Sequence, residues 1–126
     1  MVEKATRRII CLAFASGRRH DFRLFKESKV RVLRETTLET DTGYQGIAKL
    51  HAKSVLPKKR SKKKPLTPQD KQNNRAISSS RVTNEHVIGH LKRFKIIADR
   101  YRNRRKRFAL RFNLIAGICN FELNVP

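Results

Sequence analysis

A chain of 126 residues, 38% of them hydrophobic, can bury one small core and not two, so a single unit with basic appendages is expected. Its 31 lysines and arginines against 10 acidic residues leave a net charge of +21, and such self-repulsion calls for a polyanionic partner, nucleic acid ahead of an anionic membrane surface. The longest apolar stretch, Leu114 to Cys119, is far too short to span a bilayer, and the first twenty residues lack a signal peptide's apolar centre, so a cytoplasmic protein with no membrane partner is expected.

Arg8 to Ala15 is apolar on both alternating faces, the pattern of a strand covered on two sides, and Ser16-Gly17 breaks it. Asp21 is placed to cap a short helix carrying Phe22, Leu24 and Phe25 to about Leu33. A second strand, Thr36 to Thr40, ends at Asp41, which opens the turn Asp41-Thr42-Gly43-Tyr44-Gln45-Gly46. A basic loop follows at about 57–66, where Lys58, Lys59, Arg60, Lys62, Lys63 and Lys64 put six cations in seven residues between prolines. Thr67-Pro68-Gln69-Asp70 reads as an N-cap with proline at the first helical position, opening a polar helix that weakens at Ser78-Ser79-Ser80.

Val87, Leu91, Phe94, Ala98 and Tyr101 recur at the helical period and predict a separate amphipathic helix with one apolar stripe. A second cationic run, Arg100 to Arg107, leads into a last helix, Phe108 to Phe121, apolar nearly all round and therefore expected to be mostly buried. Cys11 and Cys119 are isolated and read as buried free thiols. His86 and His90 share a helix face, but no third ligand follows them, so a zinc site is not expected.

Two carboxylates stand out in so basic a chain. Asp41 lies where a strand gives way to a glycine turn, the carboxyl end at which open α/β sheets bind ligands. Glu85 lies off the apolar stripe of its helix, on a face shared with Arg81, Ile88, Gly89 and Lys92. Phosphodiester chemistry through divalent ions needs such oxygen ligands on rigid elements. Ordinary roles account for the same residues: Arg81 and Glu85 form an i,i+4 pair, and Asp41 is a turn former before glycine.

Five stretches in order carry a resemblance that spacing alone does not. Gly17-Arg18-Arg19-His20-Asp21-Phe22-Arg23-Leu24-Phe25, Asp41 to Gly46, Asn74-Arg75-Ala76-Ile77, Arg81-Val82-Thr83-Asn84-Glu85-His86-Val87-Ile88 and Tyr101-Arg102-Asn103-Arg104-Arg105 resemble bacterial insertion-sequence transposases of the DDE superfamily, whose catalytic fold is ribonuclease H-like. The resemblance runs from about Val2 to Leu123. It implies an α/β class, here a partial ribonuclease H-like fold lacking its first strands, with a helical second half, the whole of 1–126 being the C-terminal part of the catalytic domain.

In that family three acidic residues hold the catalytic ions, and Asp41 and Glu85 match the second and third. The first is expected upstream of this chain. Mg²⁺ or Mn²⁺ would then bind only once an N-terminal segment completes the site, in trans or through frameshifting, and the chain alone should be inactive and poorly ordered. DNA is the implied partner, gripped through phosphates by Lys58, Lys59, Arg60, Lys62, Lys63, Lys64, Arg81, Lys92, Arg102, Arg104 and Arg105, with room for a homo-oligomer in the active assembly. The alternative is a non-enzymatic basic nucleic-acid-binding module whose carboxylates only balance charge.

Overall fold

The computed structural model describes residues 1–100 and 105–124. It is mixed α/β: helix α1 (Asp21–Ser28), strand β1 (Leu38–Glu39), a 3-10 turn at Ile47–Lys49, strand β2 (Ser54–Val55), helices α2 (Pro68–Lys92) and α3 (Lys95–Ala98), a 3-10 turn at Arg105–Arg107, and helix α4 (Phe108–Glu122). Two compact units divide the chain: Ala15–Arg81 forms one, and Met1–Phe14 with Val82–Pro126 forms the other. The long α2 gives its first half to the former and its second half to the latter.

In the Ala15–Arg81 unit, β1 and β2 pair in parallel with Leu38 opposite Ser54 and Glu39 opposite Val55. The Leu38 N–H donates to Lys53 O at 2.8 Å and the Thr40 N–H to Val55 O at 2.9 Å, extending the ladder at both ends. Parallel neighbours need a long crossover, and the chain between them holds the glycine turn and the 3-10 turn. Only Leu38–Glu39 of the expected strand 36–40 is regular, and its partner at Ser54–Val55 gave no sequence signal. Ile47 is fully buried, and His51 is nearly so, its Nε2 lying 2.6 Å from Thr36 O.

Helix α1 is capped by His20, whose Nδ1 accepts the Phe22 N–H at 3.3 Å; Asp21, expected as the cap, is its first helical residue. It stops at Ser28, short of Leu33, because Lys29 turns left-handed at φ 51°. Thr67 and Asp70 cap α2 reciprocally: the Asp70 N–H donates to Thr67 Oγ1 at 3.1 Å, and the Thr67 N–H to Asp70 Oδ2 at 3.0 Å. The two helices expected on either side of Ser78-Ser79-Ser80 are one. Neither glycine nor proline interrupts that segment, and Ser80 Oγ turns outward to donate to Glu39 Oε2 at 2.5 Å. The helix ends at Lys92, since Phe94 is extended (φ −81°, ψ 106°) and starts α3.

The other unit buries Ile9, Val87, Leu91, Ile115, Ala116 and Cys119 together, with Val2, Leu12, Phe94, Ile97 and Phe112 packed against them. The expected strand from Arg8 to Ala15 is not formed: only Ile9 bridges, antiparallel to Val2. The reason lies in the partner it finds. Asn120 Oδ1 accepts the Ile9 N–H at 2.8 Å and Asn120 Nδ2 donates to Ile9 O at 2.9 Å, so one side-chain amide stands where a neighbouring strand would. Ile10 accordingly lies open to solvent, whereas Phe14 meets Phe108 and Phe112 edge-on.

Helix α4 is not buried all round. Ile115, Ala116 and Cys119 face the core, but Leu110, Leu114, Ile118 and Phe121 are 60%, 60%, 47% and 70% exposed. Among the described residues no helix is long and apolar enough to cross a membrane.

Candidate active site

Asp41 stands two residues past β1 and opens the turn that runs to Gly46. Its carbonyl accepts the Tyr44 N–H at 3.0 Å, closing the turn. A Cβ at Gly43 would meet the His20 ring at 3.4 Å, an ordinary contact, whereas Gly46 adopts φ +90°, a conformation that L side chains rarely take. Tyr44 is held by Phe22 and Phe25 of α1, with ring centroids at 5.4 and 6.1 Å. Burial raises the Tyr44 phenol's pKa, and the Asp21 and Asp41 charges add to the effect.

The Asp41 carboxylate is well supplied with donors. Its Oδ1 accepts the Thr42 N–H at 2.6 Å, the Thr42 hydroxyl at 3.1 Å and Arg81 Nη1 at 3.1 Å. The Thr42 backbone bond is the main reason that its pKa is lowered, with Arg81 contributing further. Arg81 thus turns to Asp41, across from the i,i+4 pairing with Glu85 that its helix position suggests. Glu85 is exposed on α2 and belongs to the other unit.

The cationic residues fall into distinct situations. Lys59, Arg60, Lys62, Lys63 and Lys64 are all exposed. Lys58 is tied down: its Nζ meets Asp70 Oδ2 at 2.8 Å, its N–H donates to Asn74 Oδ1 at 2.8 Å, and Asn74 Nδ2 donates to its carbonyl at 3.0 Å. The basic loop is therefore anchored to α2 at its first cation, which sequence reasoning missed. The Thr67-Asp70 capping pattern was its only hint. Lys92 ends α2 exposed, and Arg105 is exposed in the 3-10 turn. Arg102 and Arg104, with Tyr101, lie outside the described residues. His90 Nε2 faces Glu122 at 3.5 Å, beside the ion pair of Glu122 with Arg93, which gives this histidine a partner other than a metal.

A hard divalent ion would suit the carboxylate oxygens chemically, but the described residues contain no group of three or more His, Cys, Asp or Glu able to hold a metal ion. Asp41, its Oδ1 engaged by three donors, does not make a metal centre by itself.

Comparison with known proteins supplies the context. A family model described as DDE superfamily endonuclease matches residues 2–120. The chain is 47% identical over 123 residues to a protein of Microchaete diplosiphon described as a probable transposase for insertion sequence element IS702. That alignment takes in 98% of this chain and 45% of the relative, so the chain spans a little under half the length of the curated relative it matches. No solved structure matches it. A family match over nearly the whole chain and a relative of this identity show that the chain belongs to the DDE superfamily endonucleases and is related to insertion-sequence transposases.

Proposed function

We propose that this chain is the C-terminal portion of a DDE-type transposase, and that Asp41 and Glu85 are two of the three carboxylates that hold its catalytic metal. The observation that carries this reading is the placement of Asp41. It follows a strand in a parallel pair and opens a glycine-tyrosine turn, the end of a parallel sheet at which ligands are bound. Divalent-metal dependence comes with the family, and the bound ions would clamp the attacking and leaving oxygens of a DNA phosphodiester. Completion by a remaining segment, joined by frameshifting or supplied in trans, is part of the proposal, as is a ribonuclease H-like sheet built around β1 and β2. Without that segment the chain is inactive.

The chain's own residues supply two functions in this scheme. Thr42 and Arg81 hold the Asp41 carboxylate ionised and oriented. The exposed Lys59, Arg60, Lys62, Lys63, Lys64, Lys92 and Arg105 grip phosphates without reading bases. Bacterial cytoplasm and a homo-oligomeric assembly on DNA fit the same reading. The alternative, a non-enzymatic basic module, draws on the Asp41–Arg81 pair, in which the carboxylate already has a cationic partner.

Nicking assays with Mg²⁺ on supercoiled DNA separate the two. This chain plus the segment of the Microchaete relative that it does not match should nick DNA, and Glu85→Ala should abolish nicking while DNA binding persists. Unchanged nicking by Glu85→Ala would leave only the basic-module reading.

A further inference from the structure

Leu110, Leu114, Ile118 and Phe121 follow one another at spacings of four, four and three along α4, so they form one stripe on the side away from the buried Ile115, Ala116 and Cys119. Gly117 and Asn113 lie within that stripe, and no charged residue does. The groove they line has a volume of about 470 Å³. At Gly117 an added Cβ would meet nothing within 4 Å, so the helix backbone is open to close approach there. Four large apolar side chains exposed side by side on a chain with 33% charged residues are a surface built to be covered.

We propose that this stripe of α4 is the docking surface for the part of the transposase polypeptide that the chain does not match in its longer relative. The inference rests on the proposed function and adds to it the place of attachment. Two observations choose this occupant. The relative is more than twice as long as the matched region, so a large body of polypeptide remains to be seated. A second copy is disfavoured by charge, because each chain carries +21 and the stripe offers no acidic group to offset the repulsion. DNA is disfavoured as well, since the stripe presents no cation to a phosphate.

The stripe is exposed in this chain, so it can be altered without opening the core. Leu114→Glu places a charge at its centre, and Gly117→Trp fills its open backbone while leaving the chain's net charge unchanged. The test is binding of the full chain to the unmatched segment of the Microchaete relative, made as a separate polypeptide and followed by calorimetry. Circular dichroism confirms that each variant keeps its helix content. Wild-type binding weakened at least tenfold by both variants is the expected result.

Binding that both variants leave intact would overturn the α4 surface while preserving the proposed function. Failure of the wild-type chain to bind would overturn the α4 surface, while nicking by Glu85→Ala tests the proposed function separately. Sedimentation showing that the wild-type chain self-associates through this stripe, with Leu114→Glu abolishing the association, would give the surface to a second copy and overturn the proposal.

Discussion

Replacing Asp41 by Asn separates its structural work from its proposed catalytic work. The substitution keeps an oxygen able to accept the Thr42 N–H, now bonded at 2.6 Å, and removes the charge that faces Arg81 at 3.1 Å. Asp41 and Arg81 have side-chain exposures of 54% and 33%, so solvent screens the pair and its removal should cost no more than about 1 kcal/mol of stability. Asp41→Ala also removes the Thr42 bonds and should cost about 1–2 kcal/mol in all. A metal-holding carboxylate contributes on another scale. Several kcal/mol of transition-state stabilisation depend on the ion, and a loss of about 4 kcal/mol is a thousandfold in rate.

Nicking of supercoiled DNA by the completed transposase in Mg²⁺ should therefore fall about a thousandfold or more in Asp41→Asn. Denaturant midpoints should shift only slightly, and DNA affinity should hold or rise, because a negative charge has been removed. Nicking that stays within about tenfold of wild type would refute the catalytic assignment, since the structural losses alone account for a change of that size.

Three further outcomes follow from particular side chains. Truncating the fully buried Ile47 to Ala should cost about 2–4 kcal/mol locally, seen as faster amide exchange at Leu50 and His51, whose N–H groups bond to the Ile47 carbonyl; unchanged exchange would contradict its core role. Asp70 has its pKa lowered, chiefly by the Lys58 hydrogen bond and then by Thr67. Its contribution is therefore present above the unfolded carboxyl value and lost as pH falls through the lowered folded one. The start of α2 should fray in that acid range, followed by the Thr67 and Asp70 amide shifts, and Asp70→Asn should remove the pH dependence. Replacing Lys62, Lys63 and Lys64 together by Ala should flatten the salt dependence of DNA binding by roughly 0.9 in slope for each phosphate that is no longer neutralised, whereas Lys58→Ala, at a cation already paired with Asp70, should change it little.

Local and compositional features could be read from the chain alone. The start of α2 was legible because Thr67, Pro68 and Asp70 act within one turn, and the Asp41 turn was legible because Gly46 takes a left-handed backbone that glycine favours. The family was legible in motifs that run in order along the chain. Pairing and burial came only with the folded chain, because they depend on distant groups. Arg8 to Ala15 has the composition of a buried strand, yet Ile9 pairs with the side chain of Asn120, 111 positions away. The apolar residues of α4 have no period that distinguishes its faces; only the packing of Ile115, Ala116 and Cys119 shows which face is covered within this chain. Asp41 could be read as a turn former or a metal ligand, and the fold added what neither reading contained, a guanidinium from Arg81 on the same carboxylate oxygen that caps Thr42. Propensity and capping act over a few residues, whereas a strand needs a neighbour and a helix face needs a cover, and those come from wherever the chain returns.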